Sequence, residues 1–105
     1  MSLTTTASIE GRPVQEYLGV INAQSIIGAN MFKDIFAGLR DLIGGRSKTY
    51  ERVIEEAKED AMRELTQKAQ SVGANAVVGI DLDFETVGAS GSMLMVIATG
   101  TAVRI

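Results

Sequence analysis

The sequence predicts one α+β domain, residues 1–105, in which a small antiparallel sheet packs on one long and one shorter helix in the order β-β-α-α-β-β. Its length of 105 residues is the usual size of a single domain and excludes a second independent core. Apolar residues recur at helical spacing over residues 50–72. Between residues 76 and 86 they alternate with polar ones, as in a strand with one buried face. These three observations carry the prediction.

The first half of the chain predicts two strands and a helix. Residues 3–9 are rich in β-branched side chains and stop at the turn-like residues 10–13, which predicts a short strand. Residues 14–27 are apolar without helical spacing and predict a long strand, with Gly19 at a point where it can bend. A helix over residues 30–43 follows from apolar positions three and four apart, namely Phe32, Ile35, Phe36, Leu39, Leu42 and Ile43.

A second, longer helix is predicted from a cap at Ser47 or Thr49 to about Val72, with Gly73 as the glycine that ends it. Its charged face carries most of the acidic excess of the chain and is expected to lie in water. The following strand, residues 76–86, is expected to point Val78, Ile80, Leu82 and Phe84 into the core and Asp81, Asp83 and Glu85 into solvent.

The last predicted strand, residues 93–105, is apolar or small on both faces. Met93, Met95, Ile97, Val103 and Ile105 project to one side, and Leu94, Val96, Ala98 and Ala102 project to the other. One long and one shorter helix cover only one face of such a sheet. We therefore expect another copy of the chain to cover the second face.

Composition excludes most familiar kinds of functional site. The chain has no Cys and no His, so it lacks the commonest general base, thiolate metal ligands and cysteine nucleophiles. Its net charge of −3 does not fit nucleic-acid binding. Neither a membrane span nor an export signal is recognisable, so we expect a cytoplasmic protein without a membrane partner. No catalytic triad or nucleophile elbow is present, and we expect neither enzyme activity nor a cofactor.

Several motifs occur in one order along the whole chain: Thr4-Thr5-Thr6, residues 44–51 (GGRSKTYE), residues 73–79 (GANAVVG), Gly91-x-Met93 and residues 100–103 (GTAV). In these motifs the chain resembles the YbjQ-like family of small uncharacterised bacterial proteins. The resemblance implies a subunit similar to the dodecin type, assembled into a homopentameric ring, with no established activity. The family also carries a heavy-metal-binding label, but without Cys or His this chain lacks the ligands that heavy metals prefer.

Two segments are candidate ligand sites. The residues Gly44, Gly45, Arg46 and Ser47 combine flexible backbone, a cation and a hydroxyl at a helix start, where an anion such as phosphate binds well. A helix stop followed by a helix cap explains the same glycines and serine and is the favoured interpretation, which leaves Arg46 for an anion or an interface carboxylate. The acidic residues Asp81, Asp83 and Glu85 share one strand face and suit a hard cation such as Ca²⁺, Mg²⁺ or Mn²⁺.

A solvated strand face is the favoured interpretation of this acidic row, because neighbouring side chains on one face lie about 6.5–7 Å apart. They can share an ion only if another strand or subunit contributes ligands. The function expected from sequence is therefore a noncatalytic homo-oligomeric module for binding or scaffolding, with the chain itself as partner. The alternative is a ring that binds ions, either hard cations at the acidic row or the heavy metal of the family label.

Overall fold

The computed structural model of the protein describes residues 1–28, 48–89 and 93–105. This part of the chain forms four strands and one helix: β1 (Ser2–Leu3), β2 (Glu16–Ile27), α1 (Lys48–Ser71), β3 (Ala76–Val87) and β4 (Met93–Arg104). The long predicted helix and the last three predicted strands are confirmed, with ends that differ by one or two residues. The predicted shorter helix at residues 30–43 lies outside the described residues.

The four strands form one mixed sheet in the order β1-β3-β4-β2. The central strand β4 runs antiparallel to both of its neighbours, whereas β1 pairs parallel to β3 through Ser2 and Leu3. The prediction of an antiparallel sheet is therefore wrong at this edge. Because β2 and α1 separate β1 from β3 in the chain, no hairpin fixes the direction of β1, and the alternation of side chains carries no information about it.

The predicted strand at residues 3–9 is mostly wrong, since regular pairing ends at Leu3. Beyond it the Thr6 hydroxyl donates to the Ser8 carbonyl at 2.6 Å, and the Thr6 amide donates to Thr4 Oγ1 at 3.1 Å. Threonine hydroxyls that bond to nearby backbone compete in this way with the ladder of a sheet. The segment nevertheless stays on β3, because the Gly79 amide donates to the Thr6 carbonyl at 2.8 Å.

Helix α1 packs on β2 and β4 through one buried stripe, made of Val53, Ala57, Ala61, Leu65 and Ala69. Three of these five residues are alanine, which allows the helix backbone to approach the sheet closely. The helix ends as the sequence predicts: Gly73 has a φ of +83°, and the Ala74 amide donates to the Ala69 carbonyl at 3.0 Å. This arrangement is a Schellman motif, in which the glycine turn satisfies a carbonyl that the helix leaves free.

Strand β3 contains a bulge at Gly79, after which its side chains alternate between the two sheet faces in the opposite order. Between the pairs Val78–Thr101 and Asp81–Thr99, two residues of β3 lie opposite Gly100 alone, and Gly79 has a φ of +61°. A bulge of this kind carries a glycine in the left-handed region and shifts the alternation by one residue. Ile80 consequently packs beneath α1, whereas Val78 is buried on the other face. The prediction that Val78 and Ile80 share a face is wrong.

Phe84 is another departure from the predicted core. It pairs with Val96 and so lies on the helix side of the sheet, but 48% of its surface is exposed. The reason is the position of α1, which lies over β2 and β4 and touches β3 very little.

Asn75 links both ends of the chain at the start of β3. Its carbonyl accepts from the Ser2 amide at 3.2 Å. Its side chain accepts from the Ile105 amide at 2.8 Å and donates to the Ile105 carbonyl at 3.1 Å. One asparagine therefore holds β1 and the end of β4 on either side of β3.

Candidate functional site

The sheet face opposite α1 is the main candidate for a functional surface. We call it the open face. It carries apolar residues of two strands, Tyr17, Val20 and Ile26 of β2 and Met93, Met95 and Ile97 of β4. It also carries the neutral polar residues Asn22, Gln24, Thr99 and Thr101 of the same strands and the acidic residues Asp81, Asp83 and Glu85 of β3. The register of the strands places all of them on one side, because their cross-strand partners alternate with the residues buried beneath α1.

The apolar part of the open face is strongly exposed on β2. The exposed fraction is 73% for Tyr17, 76% for Val20 and 59% for Ile26. Ile26 lies cross-strand from Met95, which is half-buried. The two faces of β4 predicted from its sequence are thus confirmed: the Leu94 side is core, and the Met95 side is the open face.

One end of this sheet face is covered by the chain itself, which the sequence analysis missed. Val78 and Val103 are buried there in a second small core, and Ile9, Val14 and Ile105 pack against them. The apolar residues Ile9 and Val14 on either side of the turn at residues 10–13 were the available signal, because an apolar side chain beside a turn needs a surface to cover. The cover leaves the other end, around Ile26 and Met95, exposed.

The acidic row Asp81, Asp83 and Glu85 borders the apolar part of the open face. Asp83 lies cross-strand from Ile97 and Glu85 from Met95, and all three acidic residues are exposed. A side-chain hydrogen bond with Asp81, together with the charges of Asp81 and Glu85 and slight desolvation, raises the pKa of Asp83. The row is therefore a site of like-charge crowding, where a proton or a cation is favourable.

The donor set of this surface suits hard cations and does not fit a heavy metal. Among residues 1–28, 48–89 and 93–105, no three Asp, Glu, Cys or His side chains are grouped closely enough to hold a metal ion. The whole sequence contains no thiolate or imidazole. Carboxylate oxygens are preferred by Mg²⁺, Ca²⁺ and Mn²⁺, and a row along one strand needs ligands from elsewhere to enclose an ion.

The other candidate, Gly44, Gly45, Arg46 and Ser47, lies outside the described residues, so the choice between an anion site and a helix junction stays a prediction. Across the part of the chain that the structure describes, no helix has the length and apolar character needed to cross a membrane.

The fold and surface define a small α+β protein with a four-stranded mixed sheet, one described helix and a sheet face on which large apolar side chains are exposed. Residues 1–105 match the family model YbjQ, described as "Putative heavy-metal-binding", and the chain belongs to this family. The resemblance found in the sequence motifs is thus confirmed.

Two curated relatives, each named UPF0145 protein, come from two strains of Caulobacter vibrioides, NA1000 / CB15N and ATCC 19089 / CIP 103742 / CB 15. Each is 59% identical over 103 residues, which is 98% of this chain and 98% of the relative. A crystal structure from Pediococcus pentosaceus ATCC 25745, a protein of unknown function in the DUF74 family, is similar in fold with a TM-score of 0.67. That match covers 100% of this chain and 97% of the other at 18% identity, so the likeness concerns the fold alone.

Proposed function

We propose that the protein is a noncatalytic module for binding or scaffolding that works as a homo-oligomer, in which the open face of each copy is covered by a neighbouring copy. The observation that carries this proposal is the exposure of Tyr17, Val20 and Ile26 on one side of β2. Asn22 and Gln24 separate Val20 from Ile26 on this face, so its apolar side chains lie at Val20 and again around Ile26, Met95 and Ile97. Large apolar side chains exposed in this number usually mark an interaction site.

The distribution of charge supports contact through the β2 and β4 side of the open face. Asp81, Asp83 and Glu85 occupy the β3 side, where burial would cost desolvation of three carboxylates. A copy that covers Val20, Ile26 and Ile97 leaves that row at the polar rim of the interface. An apolar centre with a polar rim is the usual anatomy of a protein interface.

The number of copies proposed is five, on the basis of the resemblance to ring-forming subunits. A closed ring of five needs head-to-tail contacts, because a two-fold contact joins copies only in pairs. In such a ring each copy presents one surface to the preceding neighbour and a different surface to the following one.

Native mass spectrometry and light scattering of the tag-free protein test the assembly directly. We expect one species of five subunits, and a species of 11.2 kDa at micromolar concentration would contradict the proposal. Ile26→Lys should lower the mass of the assembly without unfolding the subunit. Val72→Lys is the matched control, because Val72 is also an exposed apolar residue but lies at the end of α1.

A second candidate function is binding of a hard divalent cation by the assembled ring. The supporting observation is that the exposed acidic row lies at the border of the open face, outside the apolar contact, and a ring of five copies would carry five such rows around its axis. Thermal melting in the presence of Mg²⁺, Ca²⁺ or Mn²⁺, against a chelator control, tests it. A rise in melting temperature that Asp83→Asn removes would support the site, and identical melting curves for all conditions would contradict it.

A further inference from the structure

Besides its exposed apolar side chains, β2 has a free edge through which a second copy of the chain could associate. In the described part of the chain β2 pairs with β4 on one side only, and it is twelve residues long. A long edge strand offers unpaired N–H and C=O groups to any other strand, and proteins commonly block such edges.

The hydrogen bonds of the sheet determine which residues of β2 turn their backbone to this edge. The Val77 carbonyl accepts from the Thr4 amide, so the backbone N–H and C=O of Val77 point toward β1. Those of the next residue, Val78, point toward β4. Val78 pairs with Thr101, and Thr101 therefore faces β3.

The backbone N–H and C=O groups of successive residues of β4 point to alternate neighbouring strands. Those of Gly100 therefore point toward β2, where Gly100 pairs with Ile21. The backbone groups of Ile21 then point toward β4, and the N–H and C=O of the following residue, Asn22, point toward the free edge. Val20, Gln24 and Ile26 are directed outward by the same alternation.

Lys68 of α1 occupies this edge at Asn22. Its Nζ donates to the Asn22 carbonyl at 2.7 Å and lies 3.8 Å from Glu64 Oε1. The side chain thus crosses from the helix to a backbone acceptor that an incoming strand would need. An incoming strand would also have to displace or bury a charged ammonium group, which is costly.

We propose that Lys68 closes the edge of β2 to strand addition, so that a second copy meets this strand through its exposed side chains and not through its backbone. This inference rests on the association through the open face proposed above. By blocking the edge, Lys68 would prevent open-ended growth of the sheet and leave the face contact as the geometry of self-association.

The test compares Lys68→Met with the wild type at equal concentration. Methionine keeps an aliphatic side chain in place and removes the ammonium donor. We expect Lys68→Met to shift the mass distribution to larger species, bind thioflavin T and gain an infrared band of intermolecular sheet. Lys68→Arg retains a cationic donor and should behave as the wild type.

Two matched variants separate the loss of the hydrogen bond between Lys68 and Asn22 from a general loss of charge. Lys58→Met removes a lysine of the same helix whose ammonium contacts Glu55 of that helix at 3.0 Å. Glu64→Gln removes the carboxylate beside Lys68 and leaves the hydrogen bond to Asn22 in place. Neither variant should produce larger species, and growth of Lys58→Met to the same extent as Lys68→Met would overturn the inference.

The remaining outcomes distinguish this inference from the proposed function. If the wild type is oligomeric and Lys68→Met has the same mass distribution without thioflavin T binding, the edge role is wrong and the face contact stands. If the wild type is monomeric while Lys68→Met forms larger species, the blocking of the edge by Lys68 stands, but the face contact and the proposed function are wrong. Circular dichroism checks that the variant folds, and Lys68→Gln provides a second variant. Loss of the fold in both would overturn the inference, because it would make Lys68 a residue of monomer stability.

Discussion

Val96 and Ile97 are consecutive in β4 and lie on opposite faces of the sheet: Val96 is completely buried beneath α1, and Ile97 stands cross-strand from Asp83 on the open face. Any substitution at one of them therefore acts on a different surface from the same substitution at the other.

Aspartate at these two positions should have opposite consequences. Val96→Asp places an unpaired charge in the core at a cost of about 3–5 kcal/mol, which is enough to unfold a marginally stable domain. Ile97→Asp should leave the subunit folded and lower the mass of the assembly. Urea denaturation and light scattering measure the two effects.

Ile97→Lys separates the loss of apolar contact from repulsion by the acidic row. If only repulsion with Asp83 matters, lysine should restore assembly, whereas loss of the apolar contact predicts that both variants dissociate. An assembly unchanged by either substitution would show that the open face is not the contact surface.

Gly100 tests the close approach of β3 and β4 at the bulge. A Cβ added to Gly100 would lie 2.6 Å from Val77 Cγ1 and 3.2 Å from Ile80 Cγ1, and Val77 is completely buried. Gly100→Ala should therefore destabilise the fold by about 1–3 kcal/mol through overpacking. Gly28→Ala is the control, because a Cβ there would have no atom of the described residues within 4 Å. Equal urea midpoints for both variants would contradict the prediction.

Asp83 should make stability depend on pH. Because the pKa of Asp83 is raised in the folded state, the folded protein binds a proton more readily than the unfolded chain does. Its contribution to stability therefore improves as the pH falls from neutral toward the range in which carboxylates titrate, about pH 4. Asp83→Asn removes the repulsion and should melt at a higher temperature than the wild type at neutral pH.

The stability difference between wild type and Asp83→Asn should shrink on acidification. Glu59→Gln, on the exposed face of α1 away from the row, is the control for a simple change of net charge. If the difference in melting temperature between wild type and Asp83→Asn stays constant across the acidic range, repulsion within the acidic row does not affect stability.

Heavy metals should not bind tightly to the tag-free protein. With no thiolate or imidazole anywhere in the sequence, submicromolar affinity for Zn²⁺, Cd²⁺ or Cu²⁺ is not expected. Isothermal titration calorimetry measures this directly. Stoichiometric tight binding would contradict the prediction and would mean that carboxylates and methionines form the site.

Much of the fold could be predicted because the strong periodic patterns are local. The stripe of α1 through Val53 and Leu65 and the two-faced alternation of β4 both depend on residues close in sequence, and both are confirmed. The acidic row was also placed correctly on an exposed strand face, because Asp81, Asp83 and Glu85 all follow the bulge.

The errors arise where contacts between distant segments decide the structure. The apolar pattern from Val78 to Ile80 looks like simple alternation. In the structure the Gly79 amide at the bulge donates to the Thr6 carbonyl, and Val78 and Ile80 lie on opposite faces of the sheet. Phe84 has the right spacing for the core, yet its exposure depends on the path of α1 across the sheet. Gly79 inside the strand was a local signal for a bulge that the prediction did not use, whereas the exposure of Phe84 has no signal within a short window of sequence.

The hydrogen bonds of Asn75 have a consequence for protein engineering. β1 and β4 flank β3, so Ser2 and Ile105 are separated by about two strand spacings, roughly 10 Å. A peptide linker of about four residues that joins Ile105 to Ser2 would span that distance and give a backbone-cyclised form of residues 2–105. In the chain-entropy model, closing a loop of about 100 residues stabilises a fold by up to about 4.7 kcal/mol, because the unfolded ring has fewer conformations. Backbone cyclisation is thus a route to a more heat-resistant form of this protein that leaves both faces of its sheet untouched.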